Sequence, residues 1–104
     1  MAFLVINIPA AVEPLERGDH FEDPLIEAFE KEGIEGGPCG GGTALDEIDG
    51  HKVITSCDIE VELEDADLEK GLSIIRRVLR AGGAPPDTII QQFEPEEIIY
   101  SLDD

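Results

Sequence analysis

The segment from Val53 to Glu64 constrains the fold of this chain more than any other stretch. Its odd positions are apolar or β-branched, whereas its even positions from Ser56 onward are polar and mostly acidic. Alternation of this kind is typical of an antiparallel strand with one buried face and one solvent-exposed face. We therefore predict a long strand over about residues 52–64. Its exposed face would carry four carboxylates, namely Asp58, Glu60, Glu62 and Glu64.

Other strands are predicted on both sides of this one. Phe3–Ile8 is a short apolar run, which indicates a strand buried on both faces or nearly so. Asp49-Gly50 is a strong tight-turn signal, so residues 42–47 should pair with the long strand as a hairpin. Thr88–Phe93 reads as the fourth strand. Residues 98–100 are either a short added strand or a tail that covers a sheet edge.

Two helices are predicted between the strands. The first should begin near Glu22–Asp23–Pro24, because proline suits a first helical turn and acidic residues suit the positive end of the helix dipole. Residues 9–20 precede it and should form a loop, since they show no sustained periodicity. The second helix has the clearer apolar stripe. Asp65 or Asp67 should cap its start, and Gly82-Gly83 should end it.

This order of elements predicts an α+β fold in a single domain, residues 1–104. Its most specific form is a ferredoxin-like βαββαβ sandwich, with a four-stranded antiparallel sheet and two helices on one face. The other sheet face would then be open and would carry the carboxylate row. Neighbouring carboxylates ~7 Å apart on a strand repel by roughly 0.6 kcal/mol in water. The row therefore costs stability unless a cation or a basic partner faces it, although well-solvated side chains tolerate this spacing.

The net charge indicates which classes of partner this protein can bind. The chain has 25 acidic and 7 basic residues and a formal net charge of −18. A charge of this sign opposes binding to nucleic acid and to anionic membranes, and it favours a basic protein partner. The alternative is that the acidity only keeps a small protein dissolved. No apolar run approaches a membrane span, and the apolar N-terminus lacks a basic leader, so we expect a cytoplasmic protein.

No motif in the chain predicts catalysis. His20 and His51 do not fall in a metal-ligand pattern, and residues 46–49 lack the spacing of a Ca²⁺ loop. Cys39 lies among glycines and should be accessible, yet its acidic surroundings should raise the pKa of its thiol. We therefore predict no catalytic residue, no metal site and no cofactor.

The glycine-rich segment 36–43 admits two interpretations. A glycine-rich loop can bind phosphate through its backbone amides. A glycine-rich strand instead allows a bulge, a bend or the close approach of another backbone. The acidic residues that follow would repel phosphate. The first interpretation leads to a small-ligand or cation-binding domain, and its ligand loop would consist of Gly40, Gly41, Gly42 and Thr43.

Four short segments of the chain form a set: Arg17 with Phe21-Glu22-Asp23-Pro24-Leu25, Gly40–Thr43, Cys57–Val61 and Gly83–Thr88. Together they resemble small acidic bacterial proteins, namely immunity proteins of polymorphic toxin systems or their uncharacterised relatives. The resemblance implies a cytoplasmic protein that acts by binding and has no catalytic residues. It also implies that Arg17, Glu22 and Asp23 lie at the rim of the binding face.

The leading hypothesis is a non-enzymatic acidic protein-binding domain, whose concrete form is an immunity protein that occludes a basic toxin. The carboxylate row on the open sheet face would contact the partner. The protein itself would be a monomer or a homodimer. Face-to-face packing of two sheets is a third hypothesis, against which the repulsion between two carboxylate rows argues.

Overall fold

One antiparallel sheet of five strands forms the framework of the protein in the computed structural model, which describes residues 1–102. The strands lie side by side in the order β2-β3-β1-β4-β5. Their bounds are β1 Ala2–Ile8, β2 Gly36–Ile48, β3 His51–Leu63, β4 Ile89–Glu94 and β5 Ile98–Ser101. The α+β class is confirmed, but the predicted count of four strands is wrong. The short segment near residues 98–100 is a true strand, because it pairs with β4 along its whole length.

Three α-helical segments, one π-helical turn and one 3₁₀ turn connect the strands. They are α1 Pro14–Arg17, a π-helical turn Gly18–Glu22, α2 Asp23–Lys31, a 3₁₀ turn Asp65–Asp67 and α3 Leu68–Ala81. The predicted start of the first long helix near residues 22–24 is confirmed. The prediction of a loop over residues 9–20 is wrong, since α1 and the π-helical turn begin there. No helix in residues 1–102 combines the length and the apolar character that crossing a membrane requires.

Both long helices end in the same hydrogen-bonded motif. Gly33 and Gly83 follow α2 and α3 with φ angles of 70° and 84°, which are readily adopted only by glycine. After α2, the amide of Ile34 donates to the carbonyl of Phe29 over 2.9 Å, and α3 ends in the equivalent way. The predicted stop of the second helix is therefore confirmed. Asp67 occupies the predicted N-cap position of α3, but within residues 1–102 its side chain makes no capping hydrogen bond.

The core lies between one face of the sheet and the two long helices. The strand residues that build it alternate along β1 and β3, as the period of a half-buried strand requires. Its members from the strands are Ala2, Leu4, Ile6, Ile8, Cys57, Ile59, Val61, Leu63 and Ile90. Its members from the helices include Leu25, Phe29, Leu72, Ile75 and Leu79. Burial of one such aliphatic or aromatic side chain contributes about 1.5–3 kcal/mol.

The first half of β3 extends beyond this core and forms a two-stranded arm with β2. β1 pairs with β3 only from Cys57 onward, so residues 51–56 have β2 as their sole neighbouring strand within residues 1–102. The predicted turn is confirmed, with positive φ angles at Asp49 and Gly50. The alternation predicts a buried Val53, but Val53 is 38% exposed, since it lies in the arm beyond the part of β3 that pairs with β1.

The glycine-rich segment is a strand and not a loop. Gly40 pairs with Glu60, and Gly42 pairs with Asp58, so β2 follows β3 through the whole glycine run. A Cβ atom on Gly41 would lie 2.5 Å from the carbonyl oxygen of Asp58. Glycine is required there because the two backbones approach too closely for any side chain. The ligand loop that was proposed at residues 40–43 therefore has no loop geometry.

Candidate functional site

The sheet face that points away from the helices is the candidate site. Residues directly opposite each other on antiparallel strands project to the same side of the sheet. The even positions of β1 are buried under the helices, so its odd positions lie on this outer face. Phe3 is paired with Glu62, and Val5 is paired with Glu60. We call this surface the open face, because both long helices pack on the opposite side.

A row of three carboxylates runs along β3 on the open face; we call Asp58, Glu60 and Glu62 the acidic column. The carboxylate of Asp58 accepts a hydrogen bond of 2.7 Å from the side-chain amide of Asn7 on β1. Glu60 lies against Gly40, where a Cβ atom would come within 2.5 Å of its Oε2 atom. The missing side chain in β2 therefore leaves room for this carboxylate. The predicted row is present on the open face for these three residues.

Glu64 does not belong to the acidic column. β3 ends at Leu63, and Glu64 begins the 3₁₀ turn that leads into α3. Its backbone is still extended, with φ −67° and ψ 145°, but no neighbouring strand pairs with it within residues 1–102. The column is thus one carboxylate shorter than the sequence alternation predicted.

An apolar patch lies beside the acidic column on the same face; it consists of Phe3, Phe93 and Ile99. The rings of Phe3 and Phe93 contact each other, with their centroids 6.1 Å apart. Phe93 lies on this side because it alternates along β4 with the buried Ile90 and Gln92. Phe93 is 38% exposed and Ile99 is 66% exposed. The open face therefore combines acidic and apolar halves.

Sequence reasoning had missed the apolar patch, although β1 carried a signal of it. The apolar run Phe3–Ile8 predicted burial on both faces or nearly so. The inner positions of β1 are indeed fully buried, but Phe3 and Val5 on the outer positions are only half-buried. A central strand that is apolar on both sides is typical of a sheet covered on both faces. The apolar side chains on the open face therefore favour its burial by another layer of protein.

The residues placed at the rim by resemblance lie elsewhere. Arg17 Nη1 donates to the carbonyl of Gly42 over 2.9 Å and contacts Thr43 Oγ1 at 3.3 Å. Thr43 is paired with the buried Cys57, so Arg17 lies over the helix side of β2. Glu22 binds Arg17 there, and Asp23 begins α2 on the same side. The structure therefore separates Arg17, Glu22 and Asp23 from the acidic column by the thickness of the sheet.

The contact between Arg17 and Glu22 is structural in character. Arg17 Nε donates to Glu22 Oε1 over 2.6 Å, and the two side chains are only 15% and 24% exposed. Together with the hydrogen bonds from Arg17 to β2, this ion pair holds α1 and the π-helical turn against the sheet. Phe21 in the same turn is buried in the core. These tertiary contacts explain why residues 14–22 become helical without any local periodicity.

Cys39 lies beside the acidic column on a bulge of β2, where the pairing shifts between Pro38 and Gly40. Its side chain is exposed. Partial burial, followed by the negative charges of Glu62 and Glu60, raises the pKa of its thiol. The prediction of a raised pKa is therefore confirmed. Cys39 can serve as a chemical reporter of the charge on the open face.

We expect iodoacetamide to alkylate Cys39 and to spare Cys57, whose side chain is fully buried. The alkylation rate of Cys39 should rise with pH about a midpoint above that of a free thiol, because only the thiolate reacts. Exchanging both Glu60 and Glu62 for Gln should lower this midpoint, while the contribution of burial remains. Mass spectrometry of timed aliquots over a pH series measures the midpoint. An unchanged midpoint in the double variant would contradict the placement of Cys39 beside these charges.

Other surface features offer weaker candidates for a site. A shallow groove of about 470 Å³ lies on the helix side, lined among others by His20, Arg77 and Val78. Asp19 also lines it, so the positive charge of Arg77 in the groove is opposed by a carboxylate. Within residues 1–102, no group of three or more His, Cys, Asp or Glu side chains is arranged to hold a metal ion.

Two comparisons, with protein-family models and with curated protein sequences, identify no relative of this chain. No protein-family model matches the chain, and no curated protein sequence matches it.

Proposed function

We propose that this protein is a binding domain whose open sheet face docks on a basic protein partner. The observation that carries the proposal is the acidic column beside the partly exposed ring pair of Phe3 and Phe93, on a sheet face on which neither long helix packs. An immunity protein that occludes a basic toxin is the most concrete form of this function. Its mechanism would be steric and electrostatic occlusion, and it would need no catalytic residue and no cofactor.

The two halves of the open face have complementary roles in such a complex. Buried aromatic and aliphatic side chains supply most of the binding energy in protein interfaces, and surrounding charges supply orientation and fast association. Phe3, Phe93 and Ile99 would form the apolar centre, and the acidic column would form one charged border. The net charge of −18 would steer a basic partner toward the protein over distances of about a Debye length.

We also propose that the fold is a ferredoxin-like sandwich with one added strand. The chain order strand-helix-strand-strand-helix-strand and the strand order β2-β3-β1-β4 support a ferredoxin-like sandwich, with β5 added beside β4. A sandwich of this kind leaves one sheet face free for a partner. The paired strand at residues 36–43 gives no support to the alternative of a ligand loop.

Comparative affinity capture tests the proposal. Immobilised wild-type protein and a Glu60→Lys/Glu62→Lys variant are exposed at low salt to lysate of the native host, and retained proteins are eluted with salt and identified. We expect a basic protein to be retained by the wild type and its recovery to fall at least about tenfold with the variant, because charge reversal on a binding face costs 2 kcal/mol or more.

A Glu27→Lys/Glu30→Lys variant is the matched control, since both residues are exposed on α2 on the other side of the molecule. It changes the net charge by the same amount and should retain the partner as the wild type does. Equal loss with both variants would mean that total charge, and not the open face, governs the interaction. Equal recovery with all three proteins would remove the open face from the proposal.

A further inference from the structure

The open face has the dimensions and chemistry to accept one particular secondary structure element. Its acidic column spans two strand repeats, about 14 Å, with neighbouring carboxylates about 7 Å apart. The apolar side chains of β1 lie one strand away, and Phe93 on β4 lies two strands away. This width of about 10 Å between β3 and β4 equals the diameter of an α-helix. A partner helix lying along β1 would therefore contact both halves of the face.

We infer that the open face binds a basic amphipathic helix of the partner protein, an inference that rests on the function proposed above. The apolar stripe of that helix would cover Phe3, Val5 and Phe93. Its basic flank would face the acidic column. Residues four apart on a helix rise by about 6 Å, so Lys or Arg at i, i+4 and i+8 would come into register with Asp58, Glu60 and Glu62.

The same surface disfavours an extended segment. A strand laid flat on a sheet face leaves its own backbone amides and carbonyls without partners, because the backbone groups of the sheet already bond within the sheet. A helix satisfies these groups internally and can therefore be buried against side chains alone. The arrangement would also repeat on the open face the helix-on-sheet packing that already covers the other face.

The charge of the column supports a basic flank and excludes an acidic one. Asp58 is held by Asn7 on the open face, and in residues 1–102 neither Glu60 nor Glu62 has an ion-pair partner. β2 presents glycines at positions 40 and 42 on this side, so the carboxylates remain accessible from their outer edge. Cationic side chains of a bound helix would find all three carboxylates within reach and would relieve their mutual repulsion.

The test uses fluorescein-labelled model peptides of about 18 residues built from Leu and Lys, a length that allows a stable helix. One peptide carries Lys at i, i+4 and i+8 beside an apolar stripe; a second has the same composition with Leu and Lys alternating, as in a strand. Anisotropy titrations at low salt give the Kd for each. We expect the helical pattern to bind at least about tenfold more tightly than the alternating pattern, with helical circular dichroism increasing on binding.

Protein variants separate specific docking from general attraction to an acidic molecule. Phe93→Ser and Glu60→Lys/Glu62→Lys should each weaken binding of the helical peptide at least about tenfold, whereas Glu27→Lys/Glu30→Lys should stay within about twofold. Phe3→Ser is a second apolar variant, since Phe3 contacts Phe93 and lies on β1 under the proposed helix. If neither apolar variant weakens binding, or if the alternating peptide binds equally well, the inference is overturned.

The outcomes also distinguish this inference from the proposed function. A captured basic protein that requires Glu60 and Glu62, combined with failure of the helical peptide, would leave the binding function standing and overturn the helix as the bound element. If no basic protein is captured and the helical peptide also fails to bind, both the proposed function and the helix inference are overturned. The alkylation rate of Cys39 provides an independent readout. Bound helical peptide should slow the reaction of Cys39 with iodoacetamide, because Cys39 lies beside the carboxylates that the helix would cover.

Discussion

Replacement of Gly41 by alanine should lower the free energy of unfolding by about 3 kcal/mol. The added Cβ atom would lie 2.5 Å from the carbonyl oxygen of Asp58 in β3. A backbone carbonyl cannot rotate away as a side chain can, so the two strands must separate locally and weaken their hydrogen bonds. The φ angle of Gly41 is not in the left-handed region, and the expected loss is therefore purely steric.

The adjacent glycine provides the control. A Cβ atom on Gly42 would meet nothing within 4 Å, and its φ is likewise outside the left-handed region. Gly42→Ala should therefore be neutral or should stabilise the protein by about 0.5 kcal/mol, since alanine reduces the entropy of the unfolded chain. Urea unfolding of both variants measures the difference, with similar m-values expected. Equal stability of the two would mean that residues 36–43 are a loop after all.

Removal of the Arg17 side chain should produce the second large effect, a loss of about 2–3 kcal/mol. Arg17→Ala deprives both Glu22 and the Gly42 carbonyl of their hydrogen-bond donor. The Glu22 carboxylate is only 24% exposed, so water replaces the lost donor incompletely. Arg17→Lys should recover only part of the loss, because an ammonium group cannot match the forked geometry of a guanidinium. Urea unfolding again provides the measurement.

The double variant Arg17→Ala/Glu22→Ala completes a thermodynamic cycle. It should lose less stability than the sum of the two single variants, because the partly buried Glu22 carboxylate is then no longer left unpaired. Binding provides a separate readout, since Arg17 lies over the helix side of β2. Under conditions where Arg17→Ala is folded, its affinity for a captured partner should match that of the wild type. A large loss of affinity in Arg17→Ala would contradict this placement and would indicate that Arg17 lies at the rim of the binding face.

Much of the fold could be predicted because it depends on local pattern. The alternation along β3, the stripe of α3, the turn at Asp49-Gly50 and the helix stops at glycine are each encoded within a few neighbouring residues. The helical character of residues 14–22 escaped prediction because Phe21 and Arg17 stabilise it through contacts with the core and with β2. Such long-range contacts leave no periodic trace in the sequence.

The candidate site was predictable only in part for the same reason. The acidic column follows directly from the alternation in one strand. The apolar patch requires β1, at one end of the sequence, to lie in the sheet beside β4 and β5, at the other end. Phe93 meets Phe3 because β4 lies beside β1 in the sheet, and neither segment reveals this neighbour by itself. The separation of Arg17 from the column likewise depends on which side of β2 its turn packs.

The amino-acid sequence by itself determined the acidic character of this protein, the α+β class and the side of β3 on which the carboxylates lie. These properties are set by composition and by short-range periodicity, which do not depend on distant contacts. Only the tertiary structure decided the fifth strand, the close approach that makes Gly41 necessary and the meeting of apolar and acidic halves on one face. Those features arise from the lateral order of the strands, and that order is chosen by packing across the whole domain.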